Sequence, residues 1–221
     1  MHRVSASVKP VPSRFFITGT DTGVGKTTVA ALLCAALNAV YWKPIQTGTR
    51  DGTDRATVIR LAALPRHRTL PEAYRFSPPV SPHLAAQRAG VRIDLRKINL
   101  PDVAARENFI AEGAGGALVP INSAQLMSDL MARLALPVLL VSRTSLGTIN
   151  HTLLSIAALR ASHLDLRGVV MVGKPNRDNL RAIEHYGGIE VLGTLPVLKK
   201  INRSALLHAF RQNFDRKAFA P

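Results

Sequence analysis

Residues 19–28 read GTDTGVGKTT and stand between two apolar runs of different character. The run before them, residues 14–18, has the composition of a short buried strand, and the run after them, residues 26–37, is rich in alanine and leucine like a helix. A glycine-rich loop in this context offers backbone N–H groups to phosphate oxygens, and the helix N-terminus adds the positive end of its dipole. The segment therefore predicts a phosphate-binding loop of the P-loop type.

Each residue type in this loop has an expected task. The backbone around the glycines wraps phosphates, Lys26 reaches the β- and γ-phosphates, and the Thr27 hydroxyl ligates Mg²⁺. The usual leading glycine is displaced by one position, because Thr20 occupies its place and Gly19 precedes it. A bare helix-capping turn would not need Gly-Lys-Thr-Thr. The nucleotide-binding residues predicted here are Gly23, Val24, Gly25, Lys26, Thr27 and Thr28.

Downstream of the loop, short apolar runs alternate with runs of helical composition. The predicted strands are residues 40–45, in which Pro44 marks the end of pairing, and residues 109–112, 137–141 and 168–172, and a last strand starts at 191. The predicted helices are residues 54–64, 125–134, 148–161, 179–186 and 202–214. Alternation with strands that are apolar on both faces predicts an α/β fold of the P-loop NTPase type, with a mostly parallel sheet covered by helices on both faces in three layers. Residues 1–13 are expected to be a flexible tail, and residues 14–221 a single domain.

Composition limits the partners that this chain is expected to have. Lys and Arg number 29 against 14 Asp and Glu, a net charge of +15, which suits polyanionic ligands. The arginines are scattered, so a solvated basic surface is favoured over a nucleic-acid site. No apolar run reaches about 18 residues, so we expect no membrane-spanning helix. Cys34 is the only cysteine and lies in an apolar run, which favours a core position and a cytoplasmic protein.

Two further segments carry charged residues toward the expected phosphate site. Residues 43–48 read KPIQTG, and the proline holds Lys43 on an extended segment from which it could neutralise phosphoryl charge. Without the phosphate-binding loop, Lys43 would be interpreted as an exposed lysine at a strand end. Asp54 follows a turn and either caps the next helix, a task that Thr53 could also perform, or holds Mg²⁺, for which Asp51 competes.

Residues 112–116 and 145–150 are two more candidate binding segments. The first reads EGAGG, in which the Glu112 carboxylate suits a metal and the glycines let the backbone approach a ligand, although a plain glycine-rich turn is the alternative. The second reads SLGTIN and offers free N–H groups to a carboxylate or phosphate. Thr148 could equally be the N-cap of the following helix, and Asn150, a mediocre helix former in the first turn, favours a contact role.

Taken together, these motifs resemble the dethiobiotin synthetase family in their order and spacing. The matching segments are GTDTGVGKT, YWKPIQTG, SPHLAA (residues 81–86), EGAGG and LGTINHTLL, within residues 14–198. The resemblance implies a homodimeric enzyme that uses ATP and Mg²⁺ to convert 7,8-diaminononanoate and CO₂ into dethiobiotin, ADP and phosphate.

The resemblance also implies residue roles. Lys26 and Lys43 would stabilise the phosphoryl group and the carbamate, and Thr27, Asp54 and Glu112 would bind Mg²⁺. The remaining implied contacts are Asp54, Glu112, Gly113, Ala114, Gly115, Pro196, Val197 and Leu198 for the nucleotide, Thr47 for the diamine, and Gly147, Thr148 and Asn150 for its carboxylate across the dimer interface.

At three places the chain departs from that family's pattern. Val172 stands where the family usually has an asparagine that reads the base. Residues 101–107 are too few for the usual long crossover helix. Arg203 stands about where relatives often have an acidic or polar nucleotide contact.

Two other classes of P-loop protein compete with this interpretation. A partition- or division-type ATPase that acts on DNA or membrane would suit the +15 charge and the basic terminal helix. That class places a lysine early in the phosphate loop, where this chain has Thr20 and Asp21. An amide-forming ligase would carry a glutaminase domain with a nucleophilic cysteine, a role that Cys34 in a helix cannot fill.

Overall fold

The computed structural model describes residues 12–219, and within that range the chain forms eight strands and seven α-helices. The strands are β1 (Arg14–Gly19), β2 (Val40–Trp42), β3 (Ile45–Gln46), β4 (Tyr74–Arg75), β5 (Phe109–Gly116), β6 (Val138–Arg143), β7 (Leu166–Val172) and β8 (Val191–Leu195). The helices are α1 (Lys26–Leu37), α2 (Asp54–Ala62), α3 (Pro82–Arg88), α4 (Met127–Leu134), α5 (Thr148–Ala161), α6 (Arg177–Gly187) and α7 (Arg203–Asn213). Short 3-10 turns lie at Arg66–Arg68, Leu95–Lys97, Asp102–Ala105 and Arg216–Phe219.

Six of these strands form one parallel sheet in the order β2-β5-β1-β6-β7-β8. Helices α1, α2 and α7 cover one face, and α4, α5 and α6 cover the other. The predicted three-layer α/β fold is therefore confirmed. Because the strands are parallel, their carboxyl ends meet at one edge of the sheet, where ligands bind in such folds.

The central strand β1 is buried on both faces, as its apolar sequence requires. Phe15 and Ile17 point into the core beneath α1, whereas Phe16 points into the core beneath α4 and α5. All three side chains are buried. The strand thus fixes the phosphate loop that follows it from both sides.

Short bridges cover both edges of this sheet. On the β2 edge, Tyr41 pairs with Thr69, and the Leu70 N–H donates to the Tyr41 carbonyl at 2.9 Å. On the β8 edge, Gly193 pairs with Phe214 in antiparallel fashion. The backbone groups of the outer strands are thereby partly satisfied within the chain.

The predicted strand over residues 40–45 is correct for residues 40–42, and its pairing ends before Pro44 as expected, but the chain then enters a separate strand that was not predicted. Strand β2 ends at Trp42, and after Pro44 the chain joins a separate pair in which β3 lies parallel to β4. Pro44 has no N–H to donate, but its carbonyl accepts from the N–H groups of Ala73 and Tyr74. This break turns Lys43 out of the sheet and into the site described below.

The predicted end of the strand at Glu112 is also wrong, because β5 continues to Gly116. Glycine and alanine permit the extra pairing, in which Gly116 lies opposite Gly19 at the close of β1. A side chain at Gly113 would meet the Phe16 ring at 2.9 Å, which explains a glycine there. The EGAGG segment is therefore strand and not a loose turn.

Other boundaries agree more closely with the sequence. The helices predicted at residues 26–37 and 148–161 match α1 and α5 to the residue, whereas β4 and α3 were not predicted. A 3-10 turn at Asp102–Ala105 replaces a crossover helix, as residues 101–107 indicated. None of the described helices has the length and apolar character needed to cross a membrane.

Most of the predicted N-terminal tail lies outside the described residues, which begin at position 12. Ser13, assigned to that tail from the sequence, is buried. Its N–H donates to Asn108 Oδ1 and its hydroxyl donates to the Phe219 carbonyl, each at 2.8 Å. The packed part of the chain therefore already includes Ser13.

Candidate functional site

A cleft of about 600 Å³ opens at the carboxyl ends of β1 and β5. It is bounded by the phosphate loop, the segment after β2, the start of α2, the segment before α3 and the end of β5. These are the segments in which the sequence placed most candidate residues. Its lining includes the predicted Gly23, Gly25, Lys26, Thr27, Thr28, Lys43, Thr47, Asp54, Glu112, Ala114 and Gly115.

The phosphate loop has the backbone conformation that anion binding needs. Gly23 and Gly25 adopt left-handed φ values of 70° and 102°, and Gly25 is the N-cap of α1 without any side-chain cap. The N–H groups at the start of α1 therefore remain available to a ligand. Val24 between the glycines is buried, and a side chain at Gly25 would meet Val172 Cγ1 at 3.0 Å.

Lys26 lies folded back over the loop, where its Nζ donates to the Asp21 carbonyl at 2.8 Å. The pKa of Lys26 is lowered to about 8, mainly by burial and also by the positive charge of Lys43, while the negative charge of Glu112 opposes both effects. Such a lysine is mostly protonated at neutral pH and loses its charge above pH 8, and an anion beside it favours the charged form.

Lys43, Asp54, Glu112 and Thr27 form a single polar cluster at the base of the cleft. Lys43 Nζ lies 2.6 Å from Asp54 Oδ2 and 3.1 Å from Glu112 Oε1. The Thr27 hydroxyl lies 2.8 Å from Glu112 Oε1 and 3.1 Å from Asp54 Oδ1. Lys43 also donates to the carbonyl of Gly113 at 3.3 Å. Residues far apart in sequence thus converge beside the phosphate loop.

The charges in this cluster support one another. Burial opposes the charge of Lys43, but Glu112 and Asp54 outweigh it and hold the pKa of Lys43 above its ordinary value. Burial likewise opposes the charge of Asp54, but Lys43 outweighs it and holds the pKa of Asp54 below its ordinary value. Lys43 is therefore a cation and Asp54 an anion throughout the neutral pH range.

The oxygens of this cluster suit Mg²⁺. Thr27 supplies a hydroxyl that lies within hydrogen-bonding distance of two carboxylates, those of Asp54 and Glu112. The described residues contain no group of three or more His, Cys, Asp or Glu side chains that could enclose a metal. Mg²⁺ commonly takes one or two carboxylates and completes its shell with phosphate oxygens and water, so this donor set fits a nucleotide-bound ion.

The start of α2 shows which residue caps the helix. The Thr53 hydroxyl accepts from the Ala56 N–H and is the N-cap, which leaves the Asp54 carboxylate free to face the cleft. Asp51 is exposed and is not among the residues that line the cleft. The amide of Gln46, which the sequence analysis missed, accepts from the Asp54 N–H at 3.0 Å.

The far wall of the cleft contains residues that the sequence did not assign to the site. Ser81 and Pro82, at the start of α3, line it together with Pro79 and Val80. Their signal was the SPHLAA segment, which belonged to the resemblance without an assigned role. Gln46 Nε2 donates to the carbonyl of Thr47 at 2.7 Å, so the expected diamine contact is held in place by its neighbour.

The start of α5 lies apart from the cleft within one chain. The residues that line the cleft do not include Gly147, Thr148 or Asn150. The Thr148 N-cap alternative is wrong, because Gly147 is the N-cap with φ 89° and the Thr148 hydroxyl donates to the Arg143 carbonyl at 2.6 Å. Asn150 is exposed to solvent.

A second hollow lies beside the phosphate loop, between the ends of β6 and β7. Val172 forms part of its wall, and Arg143, which the sequence analysis did not select, donates from its Nη2 to the carbonyl of Thr22 at 3.1 Å. Residues 196–198, which were expected to border the adenine, follow β8. Strand β8 lies on the other side of β7 from β6, and these residues are not among those that line the second hollow. Arg203 donates to the carbonyl of Ala62 at 2.9 Å, a contact within the α2 and α7 layer.

Comparisons with known proteins agree with this geometry. A family model described as an AAA domain matches residues 13–205. The chain is 51% identical to the ATP-dependent dethiobiotin synthetase BioD of Rhodopseudomonas palustris, over 92% of this chain and 94% of that protein. It is 50% identical to the protein of the same name from Novosphingobium aromaticivorans, over 93% of this chain and 98% of that protein.

Solved structures share the fold at low sequence identity. A ParA family ATPase from Chlorobium tepidum matches with a TM-score of 0.56 and 11% identity, over 90% of this chain and 98% of that chain. A chain of the MinC:MinD cell division protein complex from Aquifex aeolicus matches with a TM-score of 0.54 and 15% identity, over 89% of this chain and 86% of that chain. These likenesses support the P-loop architecture alone.

Nucleotide binding is expected to take up a proton at Lys26. Its pKa of about 8 in the free protein should rise when phosphates bind beside it, because opposite charge favours the ammonium form. At pH 9 binding should therefore take up close to ~1 proton, and above pH 8 nucleotide affinity should fall by up to about tenfold per pH unit. Calorimetry in buffers of different ionisation enthalpy measures the uptake.

The matched control for this proton uptake is Lys26→Arg, which keeps a positive charge but cannot titrate in this range. The variant should bind nucleotide with no proton uptake at pH 9. Equal uptake in the wild-type protein and in Lys26→Arg would assign the proton to another group.

The wild-type protein is expected to distinguish poorly among nucleoside triphosphates, because Val172 offers no hydrogen bond to a base. A neutral hydrogen bond contributes on the order of 1 kcal/mol, so ATP, GTP and CTP should bind within about tenfold of one another. Val172→Asn should raise the preference for ATP, with Val172→Leu as the apolar control. Dissociation constants measure this, and a wild-type preference above about a thousandfold would mean that other groups read the base.

Proposed function

The chain belongs to the family of ATP-dependent dethiobiotin synthetases, and we propose that it converts 7,8-diaminononanoate, CO₂ and ATP into dethiobiotin, ADP and phosphate. The observation that carries the proposal is the position of Lys43, whose buried ammonium lies between Asp54 and Glu112 beside the phosphate loop. The cleft extends from this cluster past Thr47 to Ser81, which leaves room for a second substrate next to the nucleotide.

The proposed reaction has three steps. One amine of the diamine adds to CO₂, loses a proton and becomes a carbamate. A carbamate oxygen attacks the γ-phosphorus of ATP, ADP leaves, and a mixed carbamic–phosphoric anhydride forms. The second amine then attacks the carbonyl carbon of this anhydride, phosphate leaves with the bonding electrons, and loss of a proton closes the ureido ring.

The part of the protein in these steps is to position the reactants and to neutralise charge. Lys26 and Lys43 would place two positive charges where negative charge moves from carbamate to phosphate. The raised pKa of Lys43 keeps its proton in place, so it stabilises charge and does not act as a base. Thr47 would contact the diamine from the wall of the cleft.

Thr27, Asp54 and Glu112 would hold Mg²⁺ with the phosphates of ATP. The bound ion would supply further neutralisation of phosphate charge. These three ligands come from α1, α2 and β5. Without a bound ion, the Thr27 hydroxyl already lies within hydrogen-bonding distance of both carboxylates.

We also propose a homodimer in which α5 serves the neighbouring site. Leu146, in the turn before α5, is fully exposed. On α5 itself, Leu154 is 62% exposed and follows the exposed Asn150 by four residues, so the two share one helix face. Large exposed apolar side chains close to one another are typical of an interface. Gly147, Thr148 and Asn150 would then reach the carboxylate of the diamine in the partner subunit.

The alternative of a partition- or division-type ATPase is less well supported. Its solved examples share the architecture at 11% and 15% identity, whereas dethiobiotin synthetases share about half of the residues of this chain. The proposed reaction needs small molecules only, takes place in the cytoplasm, and involves neither nucleic acid nor a membrane.

The reaction and the two lysines are tested together by phosphate release. In the wild-type protein, release from ATP should require both diaminononanoate and bicarbonate. Lys26→Ala and Lys43→Ala should each lower turnover by at least about 10²-fold, the scale for loss of one group that stabilises transition-state charge. Lys97→Ala, which removes an exposed lysine away from the cleft, is the matched control.

Phosphate release that does not depend on the diamine would contradict the proposed reaction. Near-normal turnover of Lys43→Ala would remove Lys43 from the mechanism and leave the reaction itself in place.

The shared site is tested by mixing inactive variants. Lys26→Ala and Asn150→Ala proteins, unfolded together and refolded, should form hybrid dimers with one intact site, which restores about a quarter of the sites when subunits mix at random. Lys26→Ala mixed with Lys43→Ala should restore nothing, because both changes affect the same half of each site. A monomer by light scattering at micromolar concentration would exclude this arrangement.

A further inference from the structure

Glu112 is held from below by a tyrosine that the proposed reaction does not use. The hydroxyl of Tyr41 donates to Glu112 Oε2 at 2.9 Å. Tyr41 lies on β2 opposite Ile110 of β5, and its side chain is completely buried in the core beneath α1 and α2. Glu112 follows Ile110 by two residues on β5, so the phenol and the carboxylate lie on the same face of the sheet, with the phenol in the core.

The two oxygens of Glu112 have different surroundings. Oε1 contacts the Thr27 hydroxyl at 2.8 Å and Lys43 Nζ at 3.1 Å, both of which face the cleft. Oε2 has one hydrogen-bond partner among the described residues, and that partner is Tyr41. Tyr41 thus engages the carboxylate oxygen that contacts neither Thr27 nor Lys43.

The Tyr41 hydroxyl is a hydrogen-bond donor at neutral pH. An ordinary tyrosine hydroxyl is protonated at neutral pH, so beside a carboxylate it donates its hydrogen. A donor fixed in the core is well suited to orient a neighbouring carboxylate.

We propose that Tyr41 is a positioning residue that holds Glu112 in the orientation required for Mg²⁺ and so controls the part of nucleotide affinity that depends on the metal. This rests on the proposed Mg²⁺ site. A glutamate has three rotatable torsions, and without Tyr41 its Oε2 would lack a partner in the core, which favours rotation of the carboxylate. Hydrogen-bond partners of metal ligands typically change metal affinity by about 10- to 100-fold when they are removed.

The test is Tyr41→Phe, which removes only the hydroxyl. Dissociation constants for ATP are measured by calorimetry with Mg²⁺ and with EDTA, without diamine or bicarbonate, so no turnover is involved. The gain in affinity that Mg²⁺ provides should fall by about tenfold or more, and affinity in EDTA should stay within about twofold. Tyr74→Phe is the matched control, because the Tyr74 hydroxyl accepts from the Asp94 N–H outside the cleft.

A double-mutant cycle with Glu112→Gln separates positioning from a general loss of stability. If Tyr41 acts through Glu112, Tyr41→Phe should cause no further loss of Mg²⁺-dependent affinity in the Glu112→Gln background. An unchanged Mg²⁺ effect in Tyr41→Phe, an equal loss with and without the metal, or additive losses in the cycle would each overturn the proposal. Failure of the proposed dethiobiotin-forming reaction would instead appear only in the phosphate-release experiment, because the calorimetry contains neither diamine nor bicarbonate.

Discussion

A buried ammonium group needs negative partners, and in this protein that need shapes the whole site. Lys43 is almost fully enclosed, so its charge is tolerated only because Asp54 and Glu112 lie within 2.6 and 3.1 Å. These contacts join the end of β2, the start of α2 and the middle of β5. The same carboxylates reach the Thr27 hydroxyl, so the phosphate loop is tied to the cluster as well.

Such a cluster is assembled before any ligand arrives. The polar side chains already satisfy one another, and Asp54 and Glu112 are each supported by a further hydrogen bond, Asp54 by Gln46 in the cleft wall and Glu112 by Tyr41 in the core. A ligand then exchanges existing polar contacts for new ones and does not have to order loose side chains. Lys26 is the exception, because it rests on the Asp21 carbonyl and has a lowered pKa in the free protein.

Local signals were enough to predict the layers and the loop, but not the contacts between distant segments. Helix α1 was predicted to the residue because a glycine precedes it and alanine and leucine fill it. The strand over residues 40–45 was predicted too long, because Ile45 pairs with Tyr74 of β4, far along the chain. The hydrogen bond of Tyr41 spans 71 residues of sequence and depends on the register of β2 and β5. No local pattern around Tyr41 could have indicated it.

The short bridges at both edges of the sheet decide how the molecule can associate. An uncovered outer strand would present N–H and C=O groups on which another chain could grow a continuous sheet, the route to fibrillar aggregates. Here β2 has only three residues and meets the chain at Thr69 and Leu70, and β8 meets Phe214. Strand addition is thereby hindered at both edges of this sheet, and the helical surfaces are left as the larger faces through which another molecule can be recognised.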